Sequence, residues 1–323
     1  MKIIRNLNKL PHALPPLALT IGNFDGVHLG HQQILSEVKK IAKEKKLASA
    51  ILTFEPHPIS FLRPDRPKDF RITGLAQKLR IFQKEKVDYL IILPFNQKLS
   101  EITAQNFIKE ILVEGLNIKH LVIGYDFIFG KNREGNFQLL ERESKNFNFA
   151  LSEISAVKNL EQTCSSSAIR KLITEGKIAQ ANQFLGKNFT VEGIVNNGRK
   201  LASQLGFPTA NLALKPQIIK PKFGVYKTTS FIPHLGKKFS SITNFGVKPT
   251  IAGNLFPLFE THILNFSQNI YGKKIVVEFV DFIREEKKFA SLDELKKQIE
   301  MDVGNVLRCG SGFVTPTLCL HQT

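Results

Sequence analysis

The run Leu17-Ala18-Leu19-Thr20-Ile21-Gly22-Asn23-Phe24-Asp25-Gly26-Val27-His28-Leu29-Gly30-His31 decides the fold of the first half of the chain. An apolar strand-like stretch enters a glycine-bearing turn and leaves into Gln32–Lys46. There Ile34, Leu35, Val38, Ile41 and Ala42 follow the stripe of an amphipathic helix. A strand that turns directly into a helix presents backbone N–H groups and a helix N-terminus to an anion, so the turn reads as a phosphate-handling loop. Gly26 and Gly30 keep the backbone open to a phosphate. His28 and His31, three apart, fall on one face of the first helical turn, placed to neutralise charge developing on phosphorus. An HxGH spacing by itself is equally compatible with capping or core histidines. Zinc ligation by His12, His28, His31 and His57 fits no familiar ligand spacing.

Outward from this unit the same rhythm continues through Ala48–Phe54, Leu75–Lys86, Tyr89–Leu93, Ala104–Glu114 and His120–Ile123. Strands alternating with helices predict a parallel sheet covered on both faces, with ligands at the strand carboxyl ends. After Gly186 the pattern changes to short β-rich runs, Thr190–Val195, Val225–Ile232, Ser240–Phe245, Phe259–Leu264 and Lys274–Ile283, as expected of an antiparallel barrel or sandwich. Ser291-Leu292-Asp293-Glu294 is a capping-box signature for a last helix whose face carries Leu292, Leu295 and Ile299. Beyond Asp302 no period is legible and a loose tail is expected. The divisions expected are 1–184, 185–303 and 304–323.

A chain of 323 residues suits two such domains, and 42% hydrophobic with 23% charged residues is ordinary globular usage. The net charge of +17 is spread over both halves, which favours anionic ligands without choosing among nucleotides, RNA and acidic surfaces. No run is long and apolar enough for a membrane span. Asn6, Asn8, Lys9, Pro11, Pro15 and Pro16 break the N-terminal segment as a signal core. Cys164, Cys309 and Cys319 form neither a disulfide framework nor a CxxC pair, as expected of a reducing, cytoplasmic setting.

A second glycine-bearing stretch, Leu205-Gly206-Phe207-Pro208-Thr209-Ala210-Asn211-Leu212, follows the basic loop Asn197-Gly198-Arg199-Lys200-Leu201-Ala202-Ser203. In an extended segment Thr209 and Asn211 face one side, where their oxygens suit a hard cation such as Mg²⁺. The same residues also read as a turn entering a strand.

Further blocks accompany each loop. With the first come Thr53-Phe54-Glu55-Pro56-His57-Pro58, Gly124-Tyr125-Asp126-Phe127-Ile128-Phe129-Gly130 and Cys164-Ser165-Ser166-Ser167-Ala168-Ile169-Arg170. In this order they resemble the FMN adenylyltransferase module of bacterial bifunctional FAD synthases, a Rossmann-like nucleotidyltransferase of the HxGH type. With the second come Phe223-Gly224-Val225-Tyr226, Asn244-Phe245-Gly246-Val247-Lys248-Pro249-Thr250, Phe259-Glu260-Thr261-His262-Ile263, Tyr271-Gly272-Lys273-Lys274 and Arg284-Glu285-Glu286-Lys287-Lys288-Phe289. These resemble the riboflavin kinase module, a small antiparallel β-barrel with a terminal helix.

The resemblance implies a bifunctional enzyme with ATP, riboflavin and FMN as substrates and Mg²⁺ as cofactor. His28, His31 and Arg170 would serve adenylyl transfer, with Gly22, Phe24, Asp25, Gly26, Gly30, Ser165 and Ser166 around the ATP phosphates. Asn23, Phe54, Pro56, Pro58, Asp126 and Phe127 would border the flavin. In the kinase, Glu260 would be the base, Gly198, Lys200, Gly206 and Pro208 would hold the nucleotide, Arg284 the flavin, and Thr209 with Asn211 the metal. Ser167, Ile128 and Asn136 stand where that family more often has Thr, Arg and Asp. Ala202 stands where it has Gly, and its Cβ crowds backbone approach to a phosphate, so a weakened or lost kinase activity is the alternative expectation. An RNA-binding protein, the other class suggested by the charge, lacks an RNP-type aromatic motif and a clustered basic face. Neither nucleic acid nor membrane is an expected partner, and oligomeric state is left open.

Overall fold

The computed structural model describes residues 1–5, 14–65, 67–159, 162–196, 206–212, 217–249 and 255–308. The chain divides into two compact units. One comprises Met1–Lys171, Gln183–Lys187 and Pro216–Lys220; the other comprises Leu172–Asn182, Asn188–Lys215 and Pro221–Thr323.

The first unit is built on six parallel strands: β1 (Lys2–Ile4), β2 (Leu17–Ile21), β3 (Ala48–Phe54), β4 (Tyr89–Leu93), β5 (Ile118–Gly124) and β6 (Ala150–Ile154), in the order β1-β4-β3-β2-β5-β6. The helices between them are α1 (Leu29–Glu44), α2 (Pro58–Leu62), α3 (Leu75–Lys84), α4 (Gln97–Ser100), α5 (Ala104–Asn106) and α6 (Phe137–Asn146). After α5 the helix widens into i→i+5 turns over Phe107–Gly115. Every residue of β2 is buried, as expected of a central parallel strand covered on both faces. Its alternation sorts the two cores. Leu17, Leu19 and Ile21 pack with Leu52, Leu93, Ile108, Leu112 and Leu140 on one side. Ala18 meets Val38, Ile41 and Ala42 of α1 on the other, and on α1 Leu35 joins Ile51, Phe82 and Leu90. The chain passes from β2 to β3 and β4 on one side and returns to β5 on the other. That reversal opens a crevice at the strand carboxyl ends. The hairpin β7 (Lys158–Asn159) and β8 (Gln162–Thr163) precedes α7 (Ser166–Thr174) and α8 (Ile178–Leu185).

The second unit is a closed antiparallel barrel of β9 (Phe189–Asn196), β10 (Thr209–Leu212), β11 (Gly224–Ile232), β12 (Lys237–Pro249), β13 (Leu255–Ile263) and β14 (Lys274–Arg284), in the order β10-β13-β12-β11-β14-β9. Closure leaves no sheet edge to protect. Part of the core is aromatic, Phe259 stacking on Phe245 at 4.4 Å and meeting Phe279 at 5.6 Å. Another part is a ladder of buried hydroxyls, Thr228–Ser241 at 2.8 Å, Thr228–Thr243 at 2.9 Å and Thr243–Thr261 at 3.0 Å, in which each hydroxyl can both donate and accept.

The last helix, α9 (Leu292–Arg308), does not end near Asp302 as the fading period suggested. Val303 and Val306 pack against Val225, Ile242 and Leu264 of the barrel wall, and this tertiary contact carries the helix past Gly304 and Asn305. At its start the Ser291 hydroxyl accepts from the Glu294 N–H at 3.2 Å, as its capping signature predicted. The Glu294 carboxylate returns to the Ala290 N–H rather than to that of Ser291. Replacing Phe259 by Ala removes the ring shared by Phe245 and Phe279. The change lowers barrel stability by about 3–5 kcal/mol in a urea titration followed by circular dichroism.

Candidate active sites

The crevice of the first unit is a cavity of about 620 Å³ lined from the carboxyl ends of the strands: Ile21 and Gly22 after β2, Phe54 after β3, Gly124–Phe129 after β5 and Ile154–Val157 after β6. Its volume lies within the range of small-molecule sites. His28 is the extended N-cap residue of α1 and His31 sits in the first turn. Their rings stack with centroids 3.7 Å apart. Burial is the main cause that pulls His28 down to about 4, with Asp25 pulling the other way. Burial, then His28 itself, holds His31 well below the usual histidine range. Both imidazoles are therefore neutral near pH 7 and offer hydrogen bonds rather than charge. Among the described residues, Nδ1 of His31 is buried with no hydrogen-bond partner, as is Oδ1 of Asn23.

The turn that carries these groups is unusual backbone. Phe24 and Val27 hold positive φ values of 48° and 44°, and both are fully buried, so packing pins conformations that otherwise cost about 1–3 kcal/mol each. Gly26 also needs positive φ (83°), but its reason differs from the expected one. It does not line the cavity; its N–H is held by Thr73 Oγ1 at 3.0 Å, and a Cβ there would press on Leu185 and Ile72. Gly30 does line the cavity and faces the His28 ring.

Asp25, expected beside phosphate, lines the cavity and is also tied to the scaffold. Its carboxylate accepts from Ile72 N at 3.0 Å, Thr73 N at 3.0 Å and the Arg170 guanidinium at 2.8 Å. Arg170 also donates from Nε to the Phe70 carbonyl at 2.8 Å. Ser166 donates its hydroxyl to the Asp25 carbonyl at 2.9 Å, whereas Ser165 accepts from Ala168 N at 3.2 Å and keeps its own proton to donate. Asn23, Phe54, Pro58, Asp126 and Phe127 all line the cavity, with Phe127 stacked on Phe129 at 5.3 Å; Pro56 does not. His57, whose spacing from the other histidines spoke against zinc, caps α2 by accepting from Ile59 N at 3.2 Å. Burial lowers it to about 4. Among the described residues no cluster of three His, Cys, Asp or Glu side chains could hold a metal.

In the second unit a cavity of about 240 Å³ lies between the barrel wall and α9. It is lined by Thr209, Asn244, Glu260, His262, Arg284, Leu295, Ile299 and Asp302. Register explains the grouping. Asn211 pairs with Glu260, and Glu260 with Asn244, so the three side chains form one row across β10, β13 and β12, with Thr209 and His262 in the next row on the same face. Asn211 is buried, and among the described residues its Oδ1 has no hydrogen-bond partner. Pro208 offers its carbonyl to His262 Nδ1 at 2.8 Å, and Gly206 adopts φ of 90°. Arg284, expected on the flavin, lines the cavity while its guanidinium grips Asp302 of α9 at 2.7 Å. Gly198, Lys200 and Ala202 lie outside the described residues. Sequence reasoning missed the Arg284–Asp302 clamp, for which charge pairing across distant segments gives no local signal.

Comparison with known proteins follows this division. A family model described as FAD synthetase matches residues 10–168, and one described as riboflavin kinase matches residues 185–309. The chain is 42% identical over 304 residues to the bifunctional riboflavin kinase/FMN adenylyltransferase of Haemophilus influenzae, covering 94% of this chain and 97% of that one. Identity to the protein of the same description from Buchnera aphidicola subsp. Schizaphis graminum is 40% over 309 residues, with 94% and 97% covered. For that of Escherichia coli K12 it is 38% over 304 residues, with 94% and 96% covered. A crystal structure described as a macrolide-efflux protein from Streptococcus pneumoniae matches with a TM-score of 0.85 at 29% identity, over 95% of this chain and 99% of that one. Among the described residues here, no helix is long and apolar enough to cross a membrane.

The neutral histidines set a pH dependence. An unfolded chain binds protons at His28 and His57 below the ordinary value of 6.5, whereas the folded unit does so only near 4. Stability is therefore complete above pH 6.5 and declines as the pH falls toward 4, by about 3 kcal/mol for each of these two groups. Urea titrations at about pH 7 and about pH 4.5 check this, the drop in midpoint being smaller in His57→Gln.

Proposed function

The chain belongs to the bifunctional riboflavin kinase/FMN adenylyltransferase family, and from that premise we propose how its two cavities divide the work. It phosphorylates riboflavin with ATP to give FMN and joins FMN to the adenylyl group of a second ATP to give FAD. We assign the second step to the cavity of the first unit and the kinase step to the barrel wall.

In adenylyl transfer an oxygen of the FMN phosphate forms a bond to the α-phosphorus of ATP, and the bond from that phosphorus to the bridging oxygen breaks to release pyrophosphate. Negative charge spreads over the α-phosphate oxygens as this happens. Stacked neutral imidazoles at the start of α1 meet it with hydrogen bonds and with the positive end of the helix dipole. Ser165 and the loop tied down by Arg170 border the phosphates, and Phe54, Pro58 and Phe127 give the isoalloxazine ring an apolar wall beside Asn23 and Asp126. The observation that carries this reading is the convergence of the strand carboxyl ends and both histidines on one cavity of flavin-nucleotide size.

In the kinase step Glu260 takes the proton of the riboflavin 5′-hydroxyl as that oxygen attacks the γ-phosphorus and ADP leaves. The buried Oδ1 of Asn211, unpartnered among the described residues, and the Thr209 hydroxyl on the same strand face fit a hard cation that prefers neutral and anionic oxygens. We propose that these two hold Mg²⁺, which when bound neutralises the nucleotide's phosphates. Binding of riboflavin against α9 orients its hydroxyl toward the row of Glu260. We further propose a cytoplasmic setting, in keeping with the free thiol of Cys164, and no nucleic-acid partner.

Two variants test the division when products are separated by chromatography. Glu260→Gln makes FMN from riboflavin about 10²–10⁴-fold more slowly but still converts supplied FMN to FAD. His31→Ala makes FMN that accumulates without FAD. FMN formation by Glu260→Gln at the unaltered rate, or FAD formation by His31→Ala at the unaltered rate, contradicts the assignment. In Asn211→Ala the Mg²⁺ concentration for half-maximal FMN formation rises, while FAD formation from FMN keeps its own.

A further inference from the structure

Behind the Gly22–Asp25 turn, the first unit buries charge that the mechanism above leaves unused. Lys78 of α3 is only 3% exposed, and its ammonium donates to the Asn23 carbonyl at 2.7 Å. Arg71, 2% exposed, makes a two-pronged pair with Glu55 at 2.9 and 2.8 Å. Arg170 is paired with Asp25 at 2.8 Å. Each guanidinium is thus paired with a carboxylate, and among the described residues the Lys78 ammonium, with that of Lys187 on the Val27 carbonyl at 3.3 Å, forms the positive excess around the turn. His28, His31 and His57, which face the same cluster, are kept neutral and do not alter the count.

A buried cation whose neighbouring carboxylates are already paired with other cations is unfavourable until something negative arrives. On the cavity side of the turn, Oδ1 of Asn23 and Nδ1 of His31 are both buried without partners among the described residues. The surplus charge and these open hydrogen-bonding atoms flank the same short turn.

On the reading that this cavity performs adenylyl transfer, we propose that Lys78 is a positioning residue for that reaction. Its ammonium clamps the Asn23 carbonyl from behind, and its unbalanced charge is matched by the polyphosphate of ATP and by the departing pyrophosphate. No contact between Lys78 and the nucleotide is required; the charge acts through a thin, water-excluding turn, where screening is weak.

Burial pushes the Lys78 ammonium below the usual lysine range, with Asp25 and then Glu55 restoring part of the fall and Arg71 opposing them. The attraction to phosphate belongs to the charged form and is lost as the pH rises through this lowered value.

The full-length chain and three variants, Lys78→Met, Lys78→Gln and Lys78→Arg, test the proposal. Initial rates of FAD formation from FMN are measured against ATP concentration and pH, with pyrophosphate binding by calorimetry. Riboflavin phosphorylation and the thermal transition serve as controls. Lys78→Met and Lys78→Gln raise KM for ATP by about tenfold to a hundredfold and weaken pyrophosphate binding by the same factor, as loss of one weakly screened charge requires. Riboflavin phosphorylation stays unchanged. Gln keeps a donor for the Asn23 carbonyl, so its failure to rescue KM isolates the charge from the clamp. Lys78→Arg keeps KM low, and unlike the unaltered chain it does so into the alkaline range.

An unaltered KM for ATP and unaltered pyrophosphate binding in Lys78→Gln overturn the proposal. So does a loss confined to kcat and to the thermal transition in all three variants, which marks a merely structural lysine. If His31→Ala forms FAD normally, the site assignment itself fails, which is a separate result.

Discussion

Asp25 is the point through which the first site is held together. One buried carboxylate gathers the N–H groups of Ile72 and Thr73 and the guanidinium of Arg170, while its own carbonyl receives the Ser166 hydroxyl. Three segments far apart in sequence, the turn after β2, the stretch before α3 and the start of α7, meet on that residue. Removing a partner from such a buried pair costs about 3–5 kcal/mol, because the remaining charge is stranded. The strained backbone of Phe24 and Val27 persists under the same constraint, and the histidines of α1 take their places from it. Without Asp25 the turn would have no reason to keep its shape.

The two units solve the problem of handling phosphate by different means. In the α/β unit, the site is made where strand ends converge, with a helix N-terminus, neutral imidazoles and a net positive cluster beneath the turn. In the barrel, the interior is closed by Phe245, Phe259 and Phe279 together with a hydroxyl ladder, so function moves to the outer wall. Strand alternation puts Glu260 and His262 outward while Phe259 and Thr261 point inward. The helix α9, clamped by Asp302 to Arg284, then supplies the second side of a cavity. A carboxylate base and neutral oxygens suit proton removal and a hard cation there. The first site instead needs no base, since an FMN phosphate is already anionic.

Sequence alone was enough for whatever depends on local period and turn chemistry. The bounds of β2, β3 and β4 follow from continuous apolar runs flanked by glycine, proline and charge. Strand β1 and helix α8 were not seen, since three residues carry no period, whereas the hydroxyls of Ser165–Ser167 read as a helix start and α7 begins there. Residue types in the cavities were legible, and their partners were not. That Asp25 and Arg170, both of which line the cavity, are bound to each other is visible only in the fold. Gly26 looks like an approach for phosphate until Leu185 and Ile72 are seen against it. Lys78 gave no signal, since a lysine in an amphipathic helix is ordinarily solvated, and only the tertiary packing of α3 buries it.

The central claim is that one chain performs two successive transfers at two separate sites. It is tested most directly by a time course with riboflavin, ATP and Mg²⁺, in which flavins, ADP and pyrophosphate are all quantified. FMN should rise first and then give way to FAD, with one ADP for each riboflavin consumed and one pyrophosphate for each FAD formed. A course that ends at FMN with no pyrophosphate, even when FMN is supplied directly, would contradict the account.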